Sequence, residues 1–149
     1  MREDLVDLWS FDVDACDARC ITINGTIRHN GRGVMGRGTA KQAKERILGL
    51  ELILGSYLHL QGLHVGILHI DKLRGPIVAF PVKHEWHEKA DIDLIIRSCQ
   101  ELSALATERS WTRVILPRPG CGNGGRSWEH EVRPRIWDKL DNRFQVVTV

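Results

Sequence analysis

The chain has 149 residues, of which 42% are hydrophobic and 27% are charged, and its formal net charge is +2. This length is typical of a single domain, spanning 1–149, that buries a core without disulfides or metal. The small net charge lacks the strong basic bias that is typical of nucleic-acid-binding domains, although it does not exclude such a surface. We expect a single monomeric domain.

The sequence shows no pattern of export or of membrane insertion. Residues 2–4 are charged and lead into a segment broken by several aspartates, unlike a signal peptide, and no apolar run reaches about 20 residues. We therefore predict a cytoplasmic protein without a membrane partner, in which the cysteines are reduced thiols. Cys16 and Cys20 are spaced like half of a metal site, but no second pair follows, so we predict neither metal nor cofactor.

Strands and helices alternate along most of the chain. Hydrophobic patterns predict strands at 5–9, 19–24, 64–70, 76–80, 114–116 and 144–149, and helices at 39–48, 50–61, 91–108 and 133–140. Asp91 and Asp93 favour the start of the third helix, and Pro134 is tolerated at the start of the fourth. This order predicts a three-layer α/β/α domain with a mixed, mostly parallel central sheet.

Two glycine-rich loops each lead towards a predicted helix. They read GRGVMGRG at 31–38 and GCGNGG at 120–125, and both contain the spacing G-x-G-x-x-G. Neither is followed by the acidic residue that a dinucleotide-binding βαβ unit carries about 20 positions later. Glycines and helix N-termini nevertheless bring backbone N–H groups close to anions, although a single such loop is often only a turn. Two loops predict a diphosphate held from both sides.

Several stretches, in the same order, resemble the macrodomain family, an ADP-ribose-binding α/β fold. They are Asn24 after the second strand, GVMGRGTA at 33–40, FPVK at 80–83 with Trp86 beyond it, and LPRPGCGNGG at 116–125. The resemblance spans nearly the whole chain. Within the family it is strongest to the macrodomain of the antitoxin DarG, which removes ADP-ribose from thymidine in DNA, and then to the terminal ADP-ribose protein glycohydrolases.

The resemblance implies a role for each matching residue. Asp7 would accept a hydrogen bond from the adenine amino group, but Val6 stands where the family has glycine, so Asp12 remains an alternative. Asn24 would contact the distal ribose and take part in catalysis. Residues implied to surround the diphosphate and distal ribose are Gly33, Val34, Met35, Gly36, Gly38, Pro119, Gly120, Cys121, Gly122, Asn123, Gly124 and Gly125.

Lys83 is the residue implied to carry the chemistry. Partial desolvation after a strand lowers the pKa of a lysine and leaves some free amine, which is a nucleophile. In the family this lysine is thought to act at the anomeric carbon of the distal ribose, either through a Schiff base or by assisting departure of the linked group. The protein glycohydrolases add an aspartate where this chain and the DarG pattern have glycine, at Gly124. Cys121 is not predicted to be a nucleophile, because the sequence places no histidine where it could act as the base for this thiol.

These residues predict an enzyme, an ADP-ribosyl glycohydrolase that releases ADP-ribose from modified DNA, at thymidine, or from protein. An ADP-ribose 1''-phosphate phosphatase and a non-catalytic reader of ADP-ribosylation are the alternatives. The DarG resemblance also allows for a cognate ADP-ribosyltransferase toxin as a partner. Arg28, Arg32 and Arg37 near the first loop are either part of a surface that grips nucleic acid or solvated residues, and Arg126 either supplies charge near the phosphates or is solvated.

Overall fold

The computed structural model describes residues 1–148, which form one six-stranded sheet with helices on both faces. The strands are β1 (Arg2–Asp4), β2 (Ala18–Asn24), β3 (Gly66–Asp71), β4 (Gly75–Lys83), β5 (Val114–Pro117) and β6 (Phe144–Val147). The helices are α1 (Gly38–Arg46), α2 (Leu50–Gln61), α3 (Ile92–Glu108) and α4 (Arg133–Ile136). This confirms the predicted three-layer architecture.

The strand order across the sheet is β1-β6-β5-β2-β4-β3. Every neighbouring pair is parallel except β3 and β4, which form an antiparallel hairpin at one edge. The predicted mixed, mostly parallel sheet is thus confirmed. Because β2, β4, β5 and β6 are parallel to one another, their carboxyl ends meet along one edge of the sheet.

Alternation along the strands divides the core into two layers. In β4, Val78 and Phe80 pack with α3 and α4 on one face, whereas Ile77 and Ala79 pack with α1 and α2 on the other. All four side chains are fully buried. Burial on both faces explains why β4 and β5 read as nearly continuous apolar runs.

The predicted strand at 5–9 is wrong. Leu8–Ser10 forms a single 3₁₀ turn, and Asp7 caps it by accepting a hydrogen bond from Trp9 N at 2.9 Å. Short acidic side chains compete with sheet pairing by bonding to the backbone nearby. The edge strand β1 lies earlier in the chain, paired with β6.

Arg19, a fully buried residue of β2, holds the segment after Asp7 in place. Its guanidinium donates to the carbonyl oxygens of Leu8 at 3.1 Å and Arg74 at 3.1 Å, and also to that of Phe11. Buried charged groups are tolerated where hydrogen bonds replace hydration. This arginine therefore fastens an irregular segment to the sheet.

The predicted last helix begins at Arg133, as expected, but ends at Ile136, earlier than the predicted residue 140. A π-helical turn, Trp128–Val132, starts behind the Ser127 cap and runs directly into α4. Pro134 does lie at the start of α4, as predicted. The predicted final strand matches β6, although its last residue, Val149, lies outside the described residues.

All four cysteines are free thiols, as predicted. Among residues 1–148, no helix combines the length and hydropathy that a membrane span requires. In the same part of the chain, no cluster of His, Cys, Asp and Glu side chains is arranged to hold a metal ion.

Candidate functional site

A cleft of about 970 Å³ opens at the carboxyl edge of the parallel strands. The two glycine-rich loops face each other across it. A Cβ atom placed on Gly38 of the first loop would lie 3.6 Å from Asn123 Nδ2 of the second, so the loops come within contact distance. The predicted site residues that line the cleft are Asn24, Val34, Gly36, Gly38, Lys83, Gly120, Cys121, Gly122, Asn123 and Gly124.

The cleft lining carries an excess of positive charge. Its basic side chains are Arg28, Arg37, Lys83 and Arg118, against the single carboxylate of Glu88 among the described lining residues. Helix α1 begins at this wall, and within residues 1–148 its first turn receives no hydrogen bond from the side chain of its N-cap residue. The free N–H groups of a first helical turn attract anions. The cleft thus favours a negatively charged ligand.

A change of register between β2 and β4 brings Asn24 and Lys83 together. The two strands pair residue for residue as far as Ile23 and Pro81, and a bulge then places Asn24 opposite Lys83 rather than Val82. Bulges of this kind change the direction of a side chain and are frequent beside functional sites. Both candidate catalytic residues consequently lie side by side at the mouth of the cleft.

The Lys83 ammonium group is held by backbone carbonyls. Its Nζ donates to Asn123 O at 3.3 Å and to Trp86 O at 3.4 Å. Among residues 1–148, Lys83 forms no salt bridge with a carboxylate. Partial burial lowers the pKa of Lys83, and the nearby charge of Arg37 lowers it further. These conditions favour the free amine.

Asn24 connects the end of β2 to the first loop. Its Nδ2 donates to Val34 O at 3.2 Å, and its Oδ1 accepts from Thr26 N at 3.0 Å. These two bonds fix which way the amide faces and hold Val34 at the wall of the cleft. Asn24 is therefore both a lining residue and a support for the loop.

Besides Asp7, which is described below, four predicted ligand-contacting residues do not line the cleft. Met35 is buried in the core, with 1% of its surface exposed, and a Cβ on Gly33 would lie 2.6 Å from Leu54 Cδ2 of α2. Pro119 is buried and Gly125 is exposed, and neither is among the lining residues. The structure therefore shows Met35 and Gly33 packing the first loop onto the core, and direct ligand contact by these four residues stays a prediction.

Neither candidate for the adenine contact lines the cleft. Asp7 caps the 3₁₀ turn, while Asp12 Oδ1 accepts hydrogen bonds from Asp14 N at 3.0 Å and Ala15 N at 3.1 Å. Both carboxylates are exposed, and the bonds named here use only the Oδ1 atom of each, so the second oxygen can still accept from a ligand. The choice between them stays a prediction.

Cys121 and Arg126 each donate a hydrogen bond to a backbone carbonyl of the protein. Cys121 Sγ donates to Pro119 O at 3.4 Å, and burial raises the pKa of this thiol to about 11, so it stays protonated at neutral pH. Arg126 Nε donates to Ala90 O at 2.7 Å and its guanidinium pairs with Glu131 at 3.2 Å. The bonds of Arg126 tie the end of the second loop to the segment before α3 and to the π-helical turn.

Gly124 has no space for a side chain. An added Cβ would lie 2.6 Å from Gly120 Cα and would collide with the Gly120 carbonyl. The aspartate expected in protein glycohydrolases is therefore not merely missing from this chain, because the conformation of the loop excludes it.

Sequence reasoning gave no role to several residues that line the cleft. Thr39 at the start of α1 accepts a hydrogen bond from Thr22 N at 3.1 Å through its Oγ1, which joins the helix to β2. Trp86 lies at the mouth, and Arg118 follows β5. Thr39 could have been identified from the sequence, because it directly follows a glycine-rich loop. The place of Arg118 in the cleft depends instead on where the sheet puts the end of β5.

Comparison with known proteins identifies relatives of moderate similarity. No model of a known protein family matches the chain. DNA ADP-ribosyl glycohydrolases of Mycobacterium bovis and Mycobacterium tuberculosis are each 29% identical to it over 109 residues, which are 70% of this chain. The match spans 31% of each relative, so the chain corresponds to about a third of these proteins.

Solved structures match over almost the full chain. The macrodomain of Mycobacterium tuberculosis DarG has a TM-score of 0.81 and 24% identity, covering 99% of this chain and 97% of that one. The Thermus aquaticus DarG macrodomain gives 0.78 and 23% with the same coverage. Thermosipho africanus DarTG in complex with ADP-ribose gives 0.71 and 18%, covering 90% of this chain and 38% of that one. The chain therefore has the macrodomain fold, in the form that the DarG macrodomains display.

Proposed function

We propose that this chain is an ADP-ribosyl glycohydrolase that releases ADP-ribose from modified thymidine in DNA. The observation that carries the proposal is the pairing of Asn24 with Lys83 at the mouth of a cationic cleft between two glycine-rich loops. The names of the mycobacterial relatives support the choice of DNA as the substrate. We further propose that the chain forms a single domain, that it acts in the cytoplasm as a monomer, and that its partner is a cognate ADP-ribosyltransferase toxin.

The diphosphate of ADP-ribose is proposed to lie between the two loops. Gly36 and Gly122 have no atom within 4 Å of an added Cβ, so their backbones are open to the cleft. The first turn of α1 and the side chains of Arg37 and Arg118 supply positive charge to the same space. Asn24, whose amide both donates and accepts, is suited to a ribose hydroxyl.

Lys83 is proposed to act at the anomeric carbon of the distal ribose. Its free amine can bond to this carbon as the bond to the base breaks, and the base nitrogen keeps the electron pair and takes a proton. The ring of the lysine adduct opens to a Schiff base, and water hydrolyses this imine, which releases ADP-ribose and restores the amine. Alternatively, the ammonium form donates a proton to the departing base while water attacks. In either case the second loop supplies no carboxylate, because Gly124 admits no side chain.

The test is release of ADP-ribose from a thymidine-ADP-ribosylated oligonucleotide by wild type, Lys83→Ala and Lys83→Arg. We expect both variants to lose activity by at least about 100-fold, because arginine keeps the charge but cannot deprotonate or transfer a proton. Binding of free ADP-ribose should persist in both. Lys89→Ala, a lysine of the same segment that does not line the cleft, is the matched control.

The pH dependence and reductive trapping separate the two chemical routes. A nucleophilic amine predicts a rate that rises with pH to a plateau, with an apparent pKa below the ordinary lysine value, and an adduct that cyanoborohydride traps. Proton donation predicts the opposite slope and no adduct. Undiminished turnover by Lys83→Ala would exclude both routes, and tight ADP-ribose binding without any product would indicate a reader.

A further inference from the structure

An exposed aromatic side chain lies at the mouth of the cleft beside Lys83. Trp86 follows β4 and lines the cleft, yet 57% of its surface is accessible to solvent. Tryptophan is highly buried on average, although it is rarely buried completely. Unlike Trp137, which is similarly exposed but lies away from the cleft, Trp86 offers its indole surface to a ligand in the cleft.

The backbone of Trp86 is fixed although its indole is exposed. Trp86 N donates to Thr26 Oγ1 at 2.9 Å, and that hydroxyl donates to Glu85 Oε2 at 2.7 Å. The Trp86 carbonyl accepts from Lys83 Nζ at 3.4 Å. These contacts fasten the residue to the end of β2 on one side and to the reactive amine on the other, so its position relative to Lys83 is determined.

A second ring restricts the indole from the side. The His87 imidazole meets Trp86 edge to face, with ring centroids 5.5 Å apart and an angle of 74° between the planes. Both rings line the cleft. An edge-to-face neighbour supports an aromatic ring while leaving the face of the ring that points elsewhere free for stacking.

The reaction geometry identifies what that face meets. In the proposed hydrolysis Lys83 acts at the anomeric carbon, and the base is bonded directly to that carbon. The base must therefore lie within a few ångströms of Lys83 Nζ, outside the loops that hold the diphosphate. Trp86 is the aromatic residue whose backbone contacts Nζ.

We propose that Trp86 is the platform on which the nucleobase carrying the ADP-ribose stacks, with His87 supporting the indole. The inference rests on the proposed function and adds to it a residue that determines specificity. Stacking favours ADP-ribose linked to a flat base over ADP-ribose linked to a flexible carboxylate side chain. Free ADP-ribose, which has no acceptor base, gains nothing from this residue.

The experiment compares two ligands in the Lys83→Ala background, where the substrate is bound without turnover. The ligands are free ADP-ribose and ADP-ribosyl-thymidine. The second ligand adds the base and its sugar but not the phosphate backbone of DNA. We expect Trp86→Ala to weaken binding of ADP-ribosyl-thymidine by about 5- to 150-fold, the loss that removal of one base-stacking side chain causes. Binding of free ADP-ribose should change less than about twofold, and Trp86→Phe should restore most of the lost affinity.

Trp137→Ala is the matched control. This residue follows α4, is 50% exposed and does not line the cleft, so removing it should leave both affinities unchanged. Equal weakening of both ligands by Trp86→Ala would overturn the platform, because Trp86 would then contact ADP-ribose itself or support the loop. Unchanged binding of both ligands would overturn it as well.

The two proposals fail in different ways. A wild-type protein that hydrolyses the modified oligonucleotide, with a Trp86→Ala variant that still binds ADP-ribosyl-thymidine normally, keeps the enzyme and removes the platform. The opposite result is also informative. If the wild-type protein releases no ADP-ribose but loses its selectivity for the base when Trp86 is replaced, the stacking platform is supported and the protein is a reader of modified thymidine rather than an enzyme.

Discussion

The two glycine-rich loops look alike in sequence but depend on different contacts. The first loop is held by the core: Met35 is buried under it, and Gly33 N donates to Glu51 O of α2 at 2.8 Å. The second loop is held largely by its own backbone, since Arg126 N donates to Gly120 O at 2.9 Å and Gly125 N to Gly122 O at 3.1 Å.

The glycines of the two loops accordingly serve different purposes. Gly33 allows the first loop to lie against Leu54 of α2, whereas Gly124 allows the second loop to fold back over Gly120. Gly36 and Gly122 meet no atom within 4 Å and remain open to the cleft. The same motif thus combines glycines that permit packing with glycines that permit ligand approach, and substitutions separate the two groups.

The largest effect is expected from Met35→Ala, which removes the anchor of the first loop. Deleting a buried side chain of this size costs about 2–5 kcal/mol of unfolding free energy, because a cavity remains. We also expect weaker binding of ADP-ribose, since Val34 and Gly36 on either side line the cleft. Urea denaturation and calorimetric titration measure the two effects.

Met35→Leu is the control for this change. It nearly conserves volume and should cost less than about 1.5 kcal/mol. If Met35→Ala proved as stable as wild type, the first loop would not depend on the core. Loss of ADP-ribose binding at full stability would instead indicate a direct contact with the ligand.

An intermediate effect is expected from Gly124→Ala in the second loop. The added Cβ meets backbone rather than a flexible side chain, and overpacking of this kind costs about 1–3 kcal/mol. Because Ala90 N donates to Gly124 O at 2.9 Å, the strain should extend to the segment that precedes α3. Thermal unfolding measures the loss, with Gly122→Ala, which meets no neighbour, as the matched control. Equal stability of the two variants would contradict the packing role of Gly124.

The smallest effect on stability is expected from Gly36→Ala. No atom lies within 4 Å of the added methyl group, so the unfolding free energy should change by no more than about 0.5 kcal/mol. The methyl group would nevertheless enter the space proposed for the diphosphate, and ADP-ribose should bind more weakly. If the variant kept full affinity for ADP-ribose, the diphosphate would not lie beside Gly36.

Much of the fold could be predicted because its elements carry local patterns. The helix at 91–108 was evident from its apolar face and from Asp91, which does cap α3 by accepting from Asp93 N at 2.9 Å. The helix predicted at 50–61 and the strand predicted at 19–24 also match α2 and β2 closely. The segment after Val6 was misread because apolar Leu8 and Trp9 suggested a strand, while the competing cap by Asp7 uses a single hydrogen bond.

The sequence by itself determined which chemical groups are present and roughly where the elements and loops lie, because periodicity and turn residues act over a few neighbouring positions. The tertiary structure decided which of those groups meet. Asn24 and Lys83 stand 59 positions apart and become neighbours through a bulge between two strands. Met35 turns into the core instead of the cleft because α2 packs against the first loop. Register and burial depend on contacts between distant segments, and no local pattern encodes them.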